Sequence, residues 1–484
     1  MKGMLFVRKS GILLSLSSIY GEYGIGDMGQ GAYDFADFLK KSGQSFWQLL
    51  PLCRTDRFGS PYSSPSVFAG NPYYISVEKL YEQGLLTLPE KNSAKTGGYK
   101  ADYAFLNKTR GVLLEKAAER LKRGTELERF IHENGGWLMP YALYTVLREK
   151  KGMSAAECMK LSKPEREKLY AVCNREIQKV CAVQYLFFFQ WFNLKNYVNN
   201  NRVQLIGDIP VYTAYDSADV WENKELFMLD ENCRPVFVAG CPPDDFSPDG
   251  QNWGNPVYNW TEHEKDDFRW WRSRFAHAGR LYDAVRIDHF RGFYSAYAVP
   301  AGRRDAREGR WLPSPGEKLV SVIKRDFPSL PVIAEDLGFI TDEVREFFSR
   351  SGFPGMKVMQ FSFSEDGERP YSFPENSVCY TGTHDNMTLC QWAAQGGEDV
   401  CRAMDYYGVN RVTGLPEAVI RGSMECRSSL CVIPMQDWLK KGADSRMNVP
   451  GTAQGNWGYR MAKGELSDEL ARKIRKSAVL YGRI

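Results

Sequence analysis

The stretch Tyr282-Asp-Ala-Val-Arg-Ile-Asp288 decides the fold that the sequence predicts. Its apolar, strand-like run ends abruptly in ionisable residues, and a loop and a helical pattern follow it. Seven other segments share this design, at residues 11–16, 46–51, 203–208, 332–336, 356–362, 378–385 and 432–437. Eight buried strands that alternate with helices and carry polar residues at their carboxyl ends predict a (β/α)8 TIM barrel, with the reactive face at those ends. A doubly wound parallel sheet is the alternative fold.

Composition places the chain among ordinary globular proteins. Of its 484 residues 43% are apolar and 25% are charged, which excludes disordered and fibrous classes. A net charge of +4 is too small to indicate a nucleic-acid partner or a membrane surface. No run approaches the roughly 18 apolar residues of a membrane span, so we expect no membrane association. The 11 cysteines form no C-x-x-C pair and the five histidines no metal-binding spacing. We therefore expect no structural metal, no disulfide framework and a cytoplasmic location.

Residues 1–484 are predicted to form a single catalytic barrel domain with two additions. The segment at about 75–200 is too long for one β/α unit and is rich in helix formers, which predicts a mainly helical insertion. The segment at about 241–259 is dense in Pro, Gly and Asp, and its aromatic residues Phe246, Trp253 and Tyr258 favour a lid-like loop.

The segment Gly24-Ile-Gly26-Asp-Met-Gly29 matches the G-x-G-x-x-G pattern of dinucleotide-binding folds. An oxidoreductase would also need an acidic residue at the end of the next strand, but that strand finishes in Leu49-Leu-Pro-Leu. The alternative interpretation is a glycine-rich β/α turn that allows close backbone approach. The sequence favours the turn, and we expect no cofactor.

Four carboxylates stand at predicted strand ends: Asp208, Asp288, Glu335 and Asp385. Residues two apart in a strand share a face, so Arg286 lies beside Asp288 and stabilises its charge. Glu335 has no adjacent cation in the sequence, a condition compatible with a raised pKa and a proton to donate. Enzymes that cleave glycosides use two carboxyl groups with these separate roles. The residues alone therefore predict a barrel enzyme that acts on carbohydrate.

Three segments resemble the catalytic regions of the α-amylase superfamily, and specifically of its amylomaltase branch, the 4-α-glucanotransferases. They are Arg286-Ile-Asp288-His289-Phe-Arg-Gly, Ile333-Ala-Glu335-Asp336-Leu-Gly and Thr381-Gly-Thr-His384-Asp385-Asn386. Further segments of the same branch match at residues 60–72, 207–221, 242–258 and 446–457. The resemblance runs from about Arg8 to about Met461.

The resemblance implies roles for individual residues. Asp288 matches the nucleophile, Glu335 the general acid/base and Asp385 the acid that orients the sugar. The positions that match substrate-binding residues are Tyr62, Asp216, Trp253, Arg286, His289 and His384. Two positions depart from many relatives, Met387 after the third region and Tyr459 where Trp is common, and they leave substrate-length preference open.

The implied reaction is retaining transfer of an α-1,4-glucan segment to the 4-hydroxyl of glucose or a maltooligosaccharide, with no cofactor and no metal. It predicts that the two reacting carboxyl groups lie roughly 5 to 5.5 Å apart. The alternatives are an α-1,4-glucan hydrolase of the same superfamily and a catalytically silent glycan-binding protein. The sequence leaves the oligomeric state open.

Overall fold

The computed structural model of this chain describes residues 7–243 and 247–484. Eight of its strands are parallel and close into a barrel, and four more form a separate sheet. The strands are β1 Lys9–Leu13, β2 Phe46–Gln48, β3 Gln204–Pro210, β4 Phe237–Cys241, β5 Gln251–Pro256, β6 Ala284–Asp288, β7 Ser295–Pro300, β8 Arg310–Pro313, β9 Val332–Ala334, β10 Gly355–Val358, β11 Ser377–Tyr380 and β12 Leu430–Pro434.

The barrel contains all eight segments that the sequence analysis selected. Neighbouring strands follow the order β1, β2, β3, β6, β9, β10, β11 and β12, and β12 pairs with β1 to close the barrel. The strands are almost continuously buried, as expected for parallel strands that are covered on both faces. The predicted TIM barrel is therefore confirmed. Its register sets Asp208 beside Arg286 and Pro210 beside Asp288, so that polar strand ends share one level.

Helices surround the barrel and form most of its additions. They are α1 Gln30–Lys41, α2 Val77–Glu82, α3 Leu88–Ser93, α4 Tyr103–Arg120, α5 Thr125–Glu149, α6 Ala155–Met159, α7 Lys163–Val172, α8 Asn174–Asn200, α9 Ala218–Glu222, α10 Trp260–Lys265, α11 Arg269–Leu281, α12 Gly316–Asp326, α13 Asp342–Ser351, α14 Leu389–Gln395, α15 Glu398–Tyr407, α16 Leu415–Glu425, α17 Met435–Trp438 and α18 Asp468–Leu480. Within the two described ranges, none of these helices has the length and apolar character that crossing a membrane would require.

The connection from β10 to β11 differs from the predicted alternation. It contains two short 3-10 helices, Met359–Phe363 and Pro370–Ser372, in place of an α-helix. The Arg369 guanidinium donates to the backbone carbonyls of Ser362, Ser364 and Gly367, which fastens the connection as a compact turn. The prolines near its end also disfavour a continuous helix.

The helices α2 to α8 fill the long segment between β2 and β3 and hold the loop that precedes them. Gln184 of α8 exchanges two hydrogen bonds with the backbone of Gly70, and Gln190 does the same with Ser76. At Gly70 a Cβ atom would lie 2.1 Å from the ring of Phe187, so only glycine permits this contact. The buried aromatic residues of α8, Phe187, Phe188 and Trp191, therefore serve as packing surface.

Part of the segment at 241–259 is a strand. Its residues Gln251–Pro256 form β5, which pairs antiparallel with β4 in a four-stranded sheet of order β5, β4, β7 and β8. The expectation of an irregular loop is therefore wrong for this part, because hydrogen bonds to β4 impose a strand on residues without strand-like alternation. Trp253 lies on β5 and Tyr258 is buried, whereas Phe246 lies outside the described residues.

The glycine-rich segment forms a tight turn before α1. The backbone N–H of Gly26 donates to the carbonyl of Ser17 at 2.9 Å. A Cβ atom at Gly26 would lie 2.2 Å from the carbonyl oxygen of Leu16, which only glycine avoids. This close contact with the backbone is a sufficient reason for glycine at position 26, and no ligand is needed to explain it.

Candidate active site

Arg286 joins two of the predicted carboxylates at the carboxyl ends of β3 and β6. Its Nη1 atom lies 2.8 Å from both carboxylate oxygens of Asp208, and its Nη2 atom lies 2.8 Å from Oδ1 of Asp288. Arg286 and Asp208 are each 4% exposed, so this pair is removed from water, while Asp288 is partly open to it. A buried guanidinium shared by two acids fixes the direction in which the Asp288 carboxylate points.

Tyr62 links this pair to the end of β11. Its hydroxyl donates to Oδ2 of Asp208 at 2.7 Å. Its ring stacks on the imidazole of His384, with centroids 5.1 Å apart and planes 12° apart. Trp457 packs against both rings. The sequence analysis quoted the segment of Trp457 as a resemblance but gave this residue no role.

Glu335 follows β9 and is 8% exposed. Its carboxylate accepts hydrogen bonds from the backbone N–H of His289 at 2.6 Å and from that of Leu337 at 2.9 Å. Burial raises the pKa of Glu335 to about 8; the negative charge of Asp288 acts in the same direction, and Arg286 opposes it. A pKa of about 8 favours the protonated carboxyl group at neutral pH.

His289 turns the chain sharply after Asp288. Its backbone is left-handed, with φ of 50° and ψ of 50°, which is uncommon for a residue with a side chain. Its imidazole makes an edge-on contact with Trp253 of β5, with centroids 4.9 Å apart. Burial lowers the pKa of His289 to about 4, so the ring is neutral at physiological pH.

Asp385 lies in the loop after β11, where two side chains from residues 446–448 hold it. Asn448 donates from Nδ2 to Oδ1 of Asp385 at 2.6 Å, and Arg446 donates to its backbone carbonyl at 2.7 Å. His384 Nε2 lies 3.3 Å from the other carboxylate oxygen. The sequence analysis quoted the segment of Arg446 and Asn448 as a resemblance but gave neither residue a role.

Asp216 lies in different surroundings from the other predicted site residues. Its carboxylate accepts hydrogen bonds from the hydroxyl of Tyr144 at 2.7 Å and from Nε of Arg148 at 2.9 Å, both on α5. Among its interactions in the described parts of the chain, none joins it directly to Asp288, Glu335 or Asp385. Its contacts connect the helical insertion to the loop after β3.

One of the two departures from the family pattern, Met387, lies near this region. The backbone carbonyl of Met387 accepts a hydrogen bond from Gln360 at 2.8 Å. Met387 and His384 line the same small cavity beside the β11 loop. Tyr459 is buried. Across residues 7–243 and 247–484, no group of three or more His, Cys, Asp or Glu side chains is arranged to hold a metal ion.

The geometry brings two unlike carboxyl groups together at one end of the barrel. Asp288 is paired with a guanidinium that stabilises its negative charge, whereas Glu335 is buried and protonated. An anionic carboxylate can attack carbon, and a protonated one can give its proton to a leaving oxygen. The arrangement suits glycoside cleavage through a covalent intermediate.

Comparison with known proteins agrees with this chemistry. The sequence matches the family described as 4-alpha-glucanotransferase over residues 14–466. The 4-alpha-glucanotransferase of Aquifex aeolicus is 42% identical over 489 residues, which cover 99% of this chain and 100% of the relative. That of Streptococcus pneumoniae is 40% identical over 495 residues, covering 99% of this chain and 98% of the relative.

A solved structure extends the comparison to three dimensions. The amylomaltase from Streptococcus agalactiae, determined in complex with acarbose, superposes with a TM-score of 0.94 at 36% sequence identity. The match covers 98% of this chain and 99% of that chain. The amylomaltase from Corynebacterium glutamicum shares the fold, with a TM-score of 0.80 at 17% identity, and the match covers 98% of this chain and 75% of that chain. On the sequence match, which spans most of its length, the chain belongs to the 4-alpha-glucanotransferase family.

Proposed function

We propose that the chain transfers a segment of an α-1,4-glucan to the 4-hydroxyl of glucose or of a maltooligosaccharide, with retention of configuration at C1. The observation that carries this proposal is the pair of unlike carboxyl groups, with Asp288 held by Arg286 and Glu335 buried with its proton. The proposed separation of these carboxyl groups is roughly 5 to 5.5 Å, the range of retaining enzymes.

The reaction proceeds in two displacements. In the first, an oxygen of Asp288 attacks C1, the bond from C1 to the 4-oxygen of the next sugar breaks, and Glu335 gives its proton to that oxygen. In the second, the Glu335 carboxylate takes the proton of an acceptor 4-hydroxyl, whose oxygen attacks C1 and displaces Asp288. Both side chains return to their starting protonation states, so neither a metal nor a cofactor enters the balance.

Surrounding residues are proposed to divide between the two sides of the scissile bond. Asp385 orients the sugar that carries C1, and the stacked rings of Tyr62 and His384 form a platform next to it. Trp253 and His289 lie on the other side, next to the acid/base, where the leaving group departs and the acceptor enters. The substrate-binding role of Asp216 stays a prediction, and its hydrogen bonds tie it to α5 of the insertion.

Incubation of the purified protein with maltotriose tests this function. Resolving the products by length while measuring free glucose should give glucose and a ladder of longer glucans. Asp288→Asn should abolish the ladder, whereas Asp468→Asn, at an exposed position on α18, should leave it unchanged. Glucose and maltose without longer chains would indicate a hydrolase, and no reaction at all would indicate a silent glycan-binding protein.

We also propose that residues 1–484 act as one domain in the cytoplasm. A single set of contiguous buried side chains includes Ile12 and Val285 of the barrel and Leu143 and Phe187 of the insertion. The 11 cysteines carry free thiols, which suits a reducing compartment. Limited proteolysis should find no stable fragment equivalent to the insertion, and cell fractionation should recover the activity in the cytoplasm.

A further inference from the structure

A pair of aromatic residues involves the loop that leaves the catalytic acid/base, and one of the two is exposed. Phe339, in the loop that leaves Glu335, is 57% exposed. Its ring lies 6.4 Å from that of Trp311 on β8, and the two planes differ by 16°. Isolated exposed aromatic residues are common on protein surfaces, but two nearly parallel rings held together offer an apolar surface on which a ligand can pack. We call Trp311 and Phe339 the rim platform.

Arg291 fastens the rim platform to the reacting groups. It follows Asp288 by three residues and is almost fully buried. Its guanidinium carbon lies 3.7 Å from the centre of the Trp311 ring, and its Nη1 atom donates to the carbonyl of Phe339 at 2.7 Å. One cation thus fixes both members of the platform, which lowers the conformational entropy that a ligand would otherwise have to remove on binding.

The position of the platform indicates which part of the substrate it meets. Glu335 protonates the leaving oxygen in the proposed mechanism, so the loop that leads from Glu335 to Phe339 lies on the acceptor side. Trp253 and Trp311 belong to the first and last strands of one sheet, and Trp253 contacts His289 next to the reacting centre. Trp311 therefore lies further along the same sheet, away from the bond that is cleaved.

We propose that the rim platform binds a glucosyl unit of the acceptor beyond the unit whose 4-hydroxyl attacks, and so makes the enzyme prefer maltooligosaccharides to glucose as acceptors. The C–H face of a pyranose ring packs on an aromatic surface, while its hydroxyls remain in water. This inference rests on the proposed function. Glucose as acceptor fills only the innermost position and gains nothing from the platform.

A donor with its own leaving group isolates the acceptor step. With α-maltosyl fluoride as donor, transfer rates to glucose, maltose, maltotriose and maltotetraose give kcat/KM for each acceptor. In Phe339→Ala we expect the ratio of kcat/KM for maltotetraose to that for glucose to fall about fivefold to tenfold. Phe339→Trp should restore it. Phe189→Ala, which removes an exposed phenylalanine from α8 of the insertion, is the matched control and should keep the wild-type ratio.

Other outcomes separate this inference from the proposed function. An unchanged ratio in Phe339→Ala, or an equal loss for every acceptor including glucose, would overturn the role of the platform. Absence of any transfer product in the wild-type protein would instead contradict the proposed function. We choose Phe339 over Trp311 for the main test because Trp311 also packs against Tyr297 of β7, and its removal would disturb the sheet.

Discussion

The backbone N–H of His289, a residue in the left-handed conformation, donates to Oε2 of Glu335 at 2.6 Å. The residue that follows the proposed nucleophile thereby positions the proposed acid/base. The bond connects the ends of β6 and β9, so the relative placement of the two acids is set by backbone geometry as well as by side chains.

This conformation predicts an unusual order of stability for substitutions at His289. Both His289→Gly and His289→Ala remove the imidazole, but only glycine adopts positive φ without strain. We expect the alanine variant to be less stable by about 0.5 to 1 kcal/mol. Thermal unfolding of both proteins checks the order. The matched pair is His132 in the interior of α5, where glycine should be the less stable variant. The same order at both positions would show that His289 relaxes to an ordinary conformation.

The pKa of about 8 at Glu335 predicts the alkaline limit of activity. Its raised value means that the proton is present below pH 8 and is lost above it, so kcat/KM for maltotriose should fall tenfold per pH unit well above 8. Fluoride leaves without a proton, so kcat/KM for α-maltosyl fluoride should not show this fall at alkaline pH. An identical alkaline fall in kcat/KM with both donors would show that another group causes it.

The eight barrel strands could be predicted because each is buried on both faces and is therefore apolar along its length. The strands of the second sheet could not be predicted in this way. The residues Gln251–Pro256 have neither an apolar run nor alternation, and they form β5 only because β4 lies beside them. Secondary structure that depends on a partner distant in the chain leaves little local signal.

The same distinction applies to the site. Asp288 and Glu335 stand at strand ends, so the barrel brings them together once the strands are recognised. The contact between Asn448 and Asp385 joins residues 63 positions apart across two loops, and nothing in the local sequence indicates it. For Asp216 the local sequence indicated a family motif but gave no sign of the ion pair with Arg148 on α5.

The hydrogen bond from Asn448 predicts a positioning role for this residue. Asn448→Ala should lower kcat/KM for maltotriose about 10- to 100-fold, because a hydrogen bond to a charged group is lost and the Asp385 carboxylate can rotate. The fall should lie mainly in kcat, with the melting temperature little changed. Asn376→Ala, at an exposed asparagine after the β10 connection, should leave both parameters unchanged. A loss of activity that merely follows a loss of stability would argue against positioning.

Asp437 is predicted to hold the loop that carries Asp385. Its two oxygens accept hydrogen bonds from the hydroxyl of Thr381 at 2.6 Å and from the backbone N–H of Leu389 at 2.8 Å, so it spans both ends of that loop. Asp437→Ala would leave two buried donors without a partner and should reduce both activity and stability. Asp437→Asn keeps one acceptor and can pair with the Thr381 hydroxyl, so it should retain the loop.

The pH dependence of stability distinguishes Asp437 from an ordinary buried polar residue. Asp437 is 2% exposed, and burial raises its pKa from 3.8 to about 6. The folded protein therefore binds this proton more tightly than the unfolded chain does, and the resulting stabilisation is complete below pH 4 and lost as the pH rises through 6. At neutral pH the ionised group costs about 3 kcal/mol, which Asp437→Asn does not incur. We expect the melting temperature of Asp437→Asn, relative to that of the wild-type protein, to be higher at pH 8 than at pH 4.5. Other carboxyl groups titrate in the same range, so only the difference in melting temperature between the two proteins is informative. A difference that is independent of pH would show that the pKa of the buried Asp437 carboxyl is not raised.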